Sequence, residues 1–393
     1  LIERYFLTQT FIAWNKNMIP LDITFTKRVA GALYGGAIGD GMGGPVEGWS
    51  PEAIREKFSD WDFTQFIPTQ EWKPKGHGRI TDDTLMVEAL MRAYNRKGGH
   101  MDAYDFRDFL LPEVVDTVVW LPERQEHMPI LDRMNAIEKF TWFRLCHFGA
   151  EPRTAGIGNA INCAIAMFIW PVGAINAGDP EAAYQEAVAL GSAESYSYAV
   201  ESAAVLAAAY SACFHREAKI ETVLDIATSL AKDGTRAATL AVLSATDSRD
   251  DLHTFLSKVR AAFLPYDHKE THIPPELGGR MADANQPSSR VTIEEVPVAL
   301  AVLKWCEGDF LRALQAGVSY GRDCDSIAAK VCGMVGALVG EDGIPLELRM
   351  SSNSANVRNW SATAKEFSKT ILAVAARDAI RFKQRNSAMD LPV

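Results

Sequence analysis

The chain of 393 residues carries 48% apolar side chains, enough to bury a large core without disulfide or metal staples. Its formal charge of −10 and dispersed basic residues lack the electrostatic footprint of a nucleic-acid binder, so no nucleic-acid partner is expected. The six cysteines (Cys146, Cys163, Cys213, Cys306, Cys324, Cys332) are scattered, with no C-x-x-C pair or zinc-ligand spacing; this points to a reducing, cytoplasmic setting and away from a disulfide framework.

Residues 1–14 lack the charged-then-apolar layout of a secretory signal. Met18 opens a stretch that reads as a natural start, so 1–27 are expected to be an N-terminal extension, with 1–17 a leader or added sequence. Helical periodicity then predicts elements over 29–38, 83–94, 182–190, 198–213, 220–231, 235–243, 252–263, 296–305, 310–319, 326–339 and 363–381. Strand-like alternation is scarce. Breaks are expected at the Gly- and Pro-bearing stretches 39–51, 68–78, 149–158, 173–180 and 265–289. The most apolar windows, 160–175 and 327–339, are shorter than the roughly 20 residues that span a bilayer. They also contain Asn162, Pro171 and Lys330, so no membrane association is expected. Small residues at spacings of three and four (Ala203, Ala204, Ala207, Ala208; Gly333, Gly336, Gly340) let helix axes approach closely. An all-α single domain over 28–390 is the simplest organisation, because acidic motifs near both ends must return to one cleft.

Those motifs sit at loop-to-helix junctions. Thr81-Asp82-Asp83-Thr84 precedes an apolar helical run, and Asp323-Cys324-Asp325-Ser326 precedes another. Each alone is a good capping signal, since a hydroxyl N-cap and first-turn carboxylates suit the positive end of a helix. A third piece, Gly39-Asp40 through Glu47, carries two acids on a glycine-dense helix end. Together the three junctions offer oxygen donors and no convergent His or Cys. Hard oxygen donors select Mg²⁺ or Mn²⁺, with Ca²⁺ admissible, over zinc or copper. If Glu47, Asp82, Asp83, Asp323 and Asp325 converge, five negative charges share one small volume. Two divalent ions nearly balance that charge, which favours a dinuclear centre.

The order and spacing of Gly-Ala-Leu-Tyr-Gly-Gly-Ala-Ile-Gly-Asp (31–40), Glu47, Thr81-Asp82-Asp83-Thr84, Met167 to Gly173, and Gly321-Arg322-Asp323-Cys324-Asp325-Ser326 resemble the ADP-ribosylglycohydrolase family over about residues 28–345. That resemblance implies an all-α orthogonal multi-helix bundle with a dinuclear metal cleft. It implies Glu47, Thr81, Asp82, Asp83, Asp323, Asp325 and Ser326 as ligands, Ser326 standing where many members have threonine. It also implies hydrolysis of an N- or O-glycosidic bond to ribose, most directly ADP-ribosyl, with Asp83, Asp82 and Glu47 as candidate catalytic carboxylates. The substrate would be a small molecule or an ADP-ribosylated partner.

Two segments depart from the family. Cys163–Phe168 is apolar where many members carry a polar, substrate-binding run, and Gly191–Tyr198 lacks the histidine many members place there. Gly158, Asn159, Asn162, Gly321 and Arg322 are therefore the candidate substrate contacts, with an ordinary loop and helix start as the alternative for 156–162. The metal centre is retained and its surroundings are altered. A dinuclear-metal enzyme acting on a nucleoside-like or secondary metabolite is thus the second reading, and a non-catalytic crystallin-like protein the third. His268 and His272 read as solvated loop histidines, and 266–289 as either a lid or disorder. Trp49, Trp61, Trp72 and Trp120 read as packing or as a stacking surface for a base, and Cys324 as a packing residue.

Overall fold

The computed structural model describes residues 24–59, 61–70, 75–134, 136–266 and 293–389. The expected 1–17 leader, Trp72, His268 and His272, and nearly all of the expected lid lie outside them.

Helices account for most of the described chain. The first is α1 (Phe25–Gly43), followed by α2 (Pro51–Phe58) and α3 (Asp82–Lys97). Short elements come next: α4 (Ala103–Asp105), α5 (Leu111–Val115), α6 (Ile130–Arg133) and α7 (Ala136–Trp142). Then follow α8 (Ala164–Phe168), α9 (Trp170–Ile175), α10 (Pro180–Gly191), α11 (Tyr198–Cys213) and α12 (Ile220–Leu230). The last third holds α13 (Asp233–Ala245), α14 (Leu252–Phe263), α15 (Glu295–Cys306), α16 (Phe310–Ser319), α17 (Cys324–Val339), α18 (Leu346–Asn356) and α19 (Trp360–Ala388). The expected helices at 198–213, 252–263 and 310–319 coincide with α11, α14 and α16.

Two local expectations fail. The expected all-α chain holds a β-hairpin, β1 (Val118–Leu121) against β2 (Glu126–Pro129), with Val118 opposite Pro129. Its strands are four residues each, too short for alternation to register in the sequence. The break expected at 39–51 also begins too early, because α1 continues through Gly43.

The reason for that continuation is tertiary. Helix α1 packs most extensively against α17, which is also covered by α11, α15 and α16. Glycines recur every fourth residue along α1 at the seam. A Cβ on Gly31 would stand 2.1 Å from the Gly336 carbonyl oxygen, one on Gly35 2.0 Å from that of Cys332, and one on Gly43 2.5 Å from Asp325 Cα. Glycine ordinarily weakens a helix interior; here it removes the side chains that would hold two backbones apart. Burial of α17 on every side explains its almost uniformly apolar sequence. Arg28, fully buried on α1, completes the seam by donating to the Ala337 and Leu338 carbonyls in the last turn of α17, both at 3.0 Å. One hydrophobic cluster runs from Val29 to Val374. Among the described residues, no helix is long and apolar enough to cross a membrane.

Candidate metal centre

The glycine seam sets the end of α1 against the start of α17, which brings Glu47 to Asp323 and Asp325. One oxygen from each of these three carboxylates lies within 4.8 Å of the others. Helix α3 delivers the remaining motif. The Ser326 hydroxyl donates to Asp83 Oδ1 at 2.7 Å, joining the two acidic motifs directly. Asp82 Oδ1 lies 2.9 Å from Arg133 Nη2.

Neither motif caps its helix in the way its sequence invites. Thr81 and Asp323 occupy the N-cap positions of α3 and α17, yet neither side chain makes a capping hydrogen bond. Asp40 of α1 does that work for α3. Its carboxylate accepts from the Thr81 and Thr84 backbone N–H groups at 3.0 and 3.1 Å and from the Thr84 hydroxyl at 2.5 Å. This frees Thr81 Oγ1, which is buried and has no hydrogen-bond partner among the described residues. A buried hydroxyl without a partner is costly in an apolar interior. Such a hydroxyl has the donor chemistry of a hard-cation ligand.

The electrostatics point the same way. Burial, and beyond it Asp325 and Glu295, push the Asp323 carboxyl well above the usual range; burial and Asp325 raise Asp40 to about 7. Burial is the largest influence on Asp325 and acts to raise it, but Lys75 together with hydrogen bonds from Asp323 and the Ser326 N–H holds this carboxyl below its ordinary value. So many carboxylates stay together only with cations or protons between them.

The protein supplies cations that the sequence reading missed. Lys75 Nζ pairs with Glu47 and lies 3.3 Å from Asp325 Oδ2. Arg133 bridges Asp82 to Glu123 Oε2, the latter at 2.7 Å. The buried ammonium of Lys330 donates to the Ser326 carbonyl at 3.3 Å and acts electrostatically on Asp83, Glu295, Asp323 and Cys163. Only Lys330 left a signal, as a lone charge inside an apolar helical run. Glu295 and Asp40 look in sequence like ordinary first-turn and helix-end acids.

A correction concerns donor type. The expectation of no convergent cysteine does not hold, since Cys163 Sγ donates to Asp323 Oδ2 at 3.1 Å. Cys324, by contrast, is buried against the Gly43 carbonyl, a packing position.

The expected substrate contacts are dispersed in role. Gly158 lies on the surface at φ +92° with open space around it. Asn162 spends its Oδ1 on the Ala164 N–H. Asn159 is buried and donates to Thr141 Oγ1 and the Glu194 carbonyl, at 3.2 and 2.8 Å. The guanidinium of Arg322 is fully buried, with Nε 2.5 Å from Glu294 Oε2; the backbone of Arg322 pairs with Trp49 and Gly48. Gly321, at φ +72°, turns the chain into that pairing. The 156–162 loop packs against the departing segment at 191–198. Gly156 N–H donates to the Ser192 carbonyl and Ser195 Oγ to the Ala160 carbonyl, both at 3.0 Å. Residues 164–168 are buried, which accounts for their apolar character. Trp49 packs on Phe58, and Phe58 edge-on against Trp61, an aromatic cluster of packing type.

Comparison with known proteins places this geometry in context. The family model described as ADP-ribosylglycohydrolase matches residues 21–377. The chain is 25% identical over 353 residues to the uncharacterized protein YegU of Escherichia coli (strain K12), covering 88% of this chain and 97% of that protein. It is similar in fold to a solved structure titled ADP-ribosylglycohydrolase-related protein complex, with a TM-score of 0.56 and 18% identity, covering 88% of this chain and 99% of the other.

Proposed function

The chain belongs to the ADP-ribosylglycohydrolase family, and on that premise we propose that it is a Mg²⁺- or Mn²⁺-dependent hydrolase of an N- or O-glycosidic bond to ribose, most directly an ADP-ribosyl one. The observation that carries this reading is the convergence of Glu47, Asp323 and Asp325, with Ser326 of the same motif joined to Asp83. Glu47, Thr81, Asp82, Asp83, Asp323, Asp325 and Ser326 would hold the ions. Divalent cations bound there supply Lewis acidity toward ribose hydroxyls and lower the pKa of water.

The protein's own groups do the rest. Asp83, fixed by the Ser326 hydroxyl, orients the attacking water and accepts its proton, while Arg133 holds Asp82 in register. The transition state is expected to be oxocarbenium-like. The altered segments at 163–168 and 192–197 are those in which recognition is expected, which favours a nucleoside-like or secondary metabolite as the second reading.

The test is an assay of metal-stripped protein, with and without added Mg²⁺ or Mn²⁺, on ADP-ribosyl-arginine, ADP-ribosyl-serine, O-acetyl-ADP-ribose and a nucleoside panel. Metal-dependent release of a ribosyl product is expected. Asp82→Asn and Asp325→Asn are expected to lower kcat/KM by at least about 10²-fold while circular dichroism stays unchanged. Inactivity on every substrate, together with no metal uptake by calorimetry, would leave the non-catalytic reading standing.

A further inference from the structure

Glu295 opens α15 with a fully buried carboxylate, and neither of its oxygens accepts a hydrogen bond from a donor among the described residues. Asp323 and Cys163 stand close to it, and the Lys330 ammonium and Arg322 act on it electrostatically. One oxygen of Glu295, one of Asp323 and Cys163 Sγ all lie within 4.8 Å of one another, and Sγ is 3.1 Å from Asp323 Oδ2. Tetrahedral ligands with metal–sulfur and metal–oxygen bonds of about 2.3 and 2.1 Å stand roughly 3.5 Å apart, so little movement closes this trio on an ion. Cys163 and Asp323 are half-buried, whereas Glu295 is fully buried.

We propose that Cys163, Glu295 and Asp323 form a mixed thiolate–carboxylate site for a borderline divalent cation, of the Zn²⁺ or Co²⁺ class, with Asp323 bridging it to the Glu47/Asp323/Asp325 cluster. The reason is donor chemistry and charge. A sulfur ligand shifts preference from Mg²⁺ toward softer ions. A thiolate and two carboxylates beside the Lys330 ammonium sum to −2, which one divalent ion neutralises. On binding, the thiol proton leaves to solvent, and one S–metal and two O–metal bonds form to the thiolate and the two carboxylates. Three protein ligands leave a fourth position of a tetrahedral ion open. Neither Cys163 nor Glu295 is among the ligands used in the functional reading above, so the two proposals fail separately.

The full chain, stripped with a chelator and kept reduced, is titrated with Co²⁺ and followed by the near-ultraviolet thiolate-to-cobalt charge-transfer band. The band is expected in the wild type and in Cys146→Ser, absent in Cys163→Ser, and shifted to at least tenfold higher Co²⁺ concentration in Glu295→Gln. Circular dichroism checks that each variant is folded. Co²⁺ uptake without the band, a band that survives Cys163→Ser, wild-type affinity in folded Glu295→Gln, or no uptake at all overturns the site. A wild-type band in a protein inactive on every glycoside removes the glycosidase reading alone; Mg²⁺-dependent activity without the band removes this site alone.

Discussion

Arg322 illustrates how a residue flanking a motif takes its role from its surroundings. By position it stands beside the proposed ligand Asp323, where sequence invites a substrate contact. Its guanidinium instead pairs with Glu294, which also accepts from Tyr320 Oη at 2.6 Å, and no part of the side chain is exposed. Removing one member of a buried pair strands the other charge, at a cost of about 3–5 kcal/mol. Arg322→Met is therefore expected to lower unfolding free energy by about that amount in urea titrations. A variant of wild-type stability with a raised KM would return Arg322 to substrate binding. Asp40 teaches the same lesson in reverse. It looks like a helix-end acid, yet it caps α3 from another helix.

Among the elements, the α1–α17 seam decides the site. The small-residue spacing marked a close approach without saying which helices meet. The seam predicts opposite outcomes for adjacent glycines. A Cβ on Gly35 meets the Cys332 carbonyl oxygen at 2.0 Å, backbone that cannot step aside, whereas one on Gly36 finds its nearest neighbour, the Ala329 carbonyl oxygen, at 3.8 Å. Gly35→Ala is expected to destabilise by about 3 kcal/mol or more through overpacking. Gly36→Ala is expected to be neutral, or to stabilise by about 0.5–1 kcal/mol through better helix propensity. Thermal and denaturant unfolding of both variants checks this; equal effects would mean that the seam is not close-packed.

At the scale of the whole molecule, α10 and α19 are tied across the chain by His100. Its Nδ1 lies 2.6 Å from Glu186 Oε2 and its Nε2 2.9 Å from Asp378 Oδ2. Hydrogen bonding to Glu186, opposed by burial and reinforced by Asp378, raises this imidazole from 6.5 to about 9. A folded-state value above the unfolded one means that the folded state binds the proton more tightly. The contribution is thus complete below pH 6.5 and is lost as pH rises through about 9. Wild-type stability is expected to fall across that window, and His100→Gln to flatten the profile there. An unchanged slope in the variant would place the titration elsewhere.

The sequence by itself determined the helical class, most helix positions and the acidic motifs, because periodicity and local motifs are written within a few residues of one another. It also carried the family. Its local reading of each acidic motif as a helix cap was reasonable, and only the tertiary structure replaced it, since the cap of α3 comes from Asp40, 41 positions before Thr81. The same holds for Lys75, Arg133, Cys163 and Glu295. Each is an unremarkable residue in its own segment and joins the acid cluster only through contacts between distant parts of the chain, which no local spacing encodes. The hairpin stayed hidden for the complementary reason that its strands are too short to carry a period.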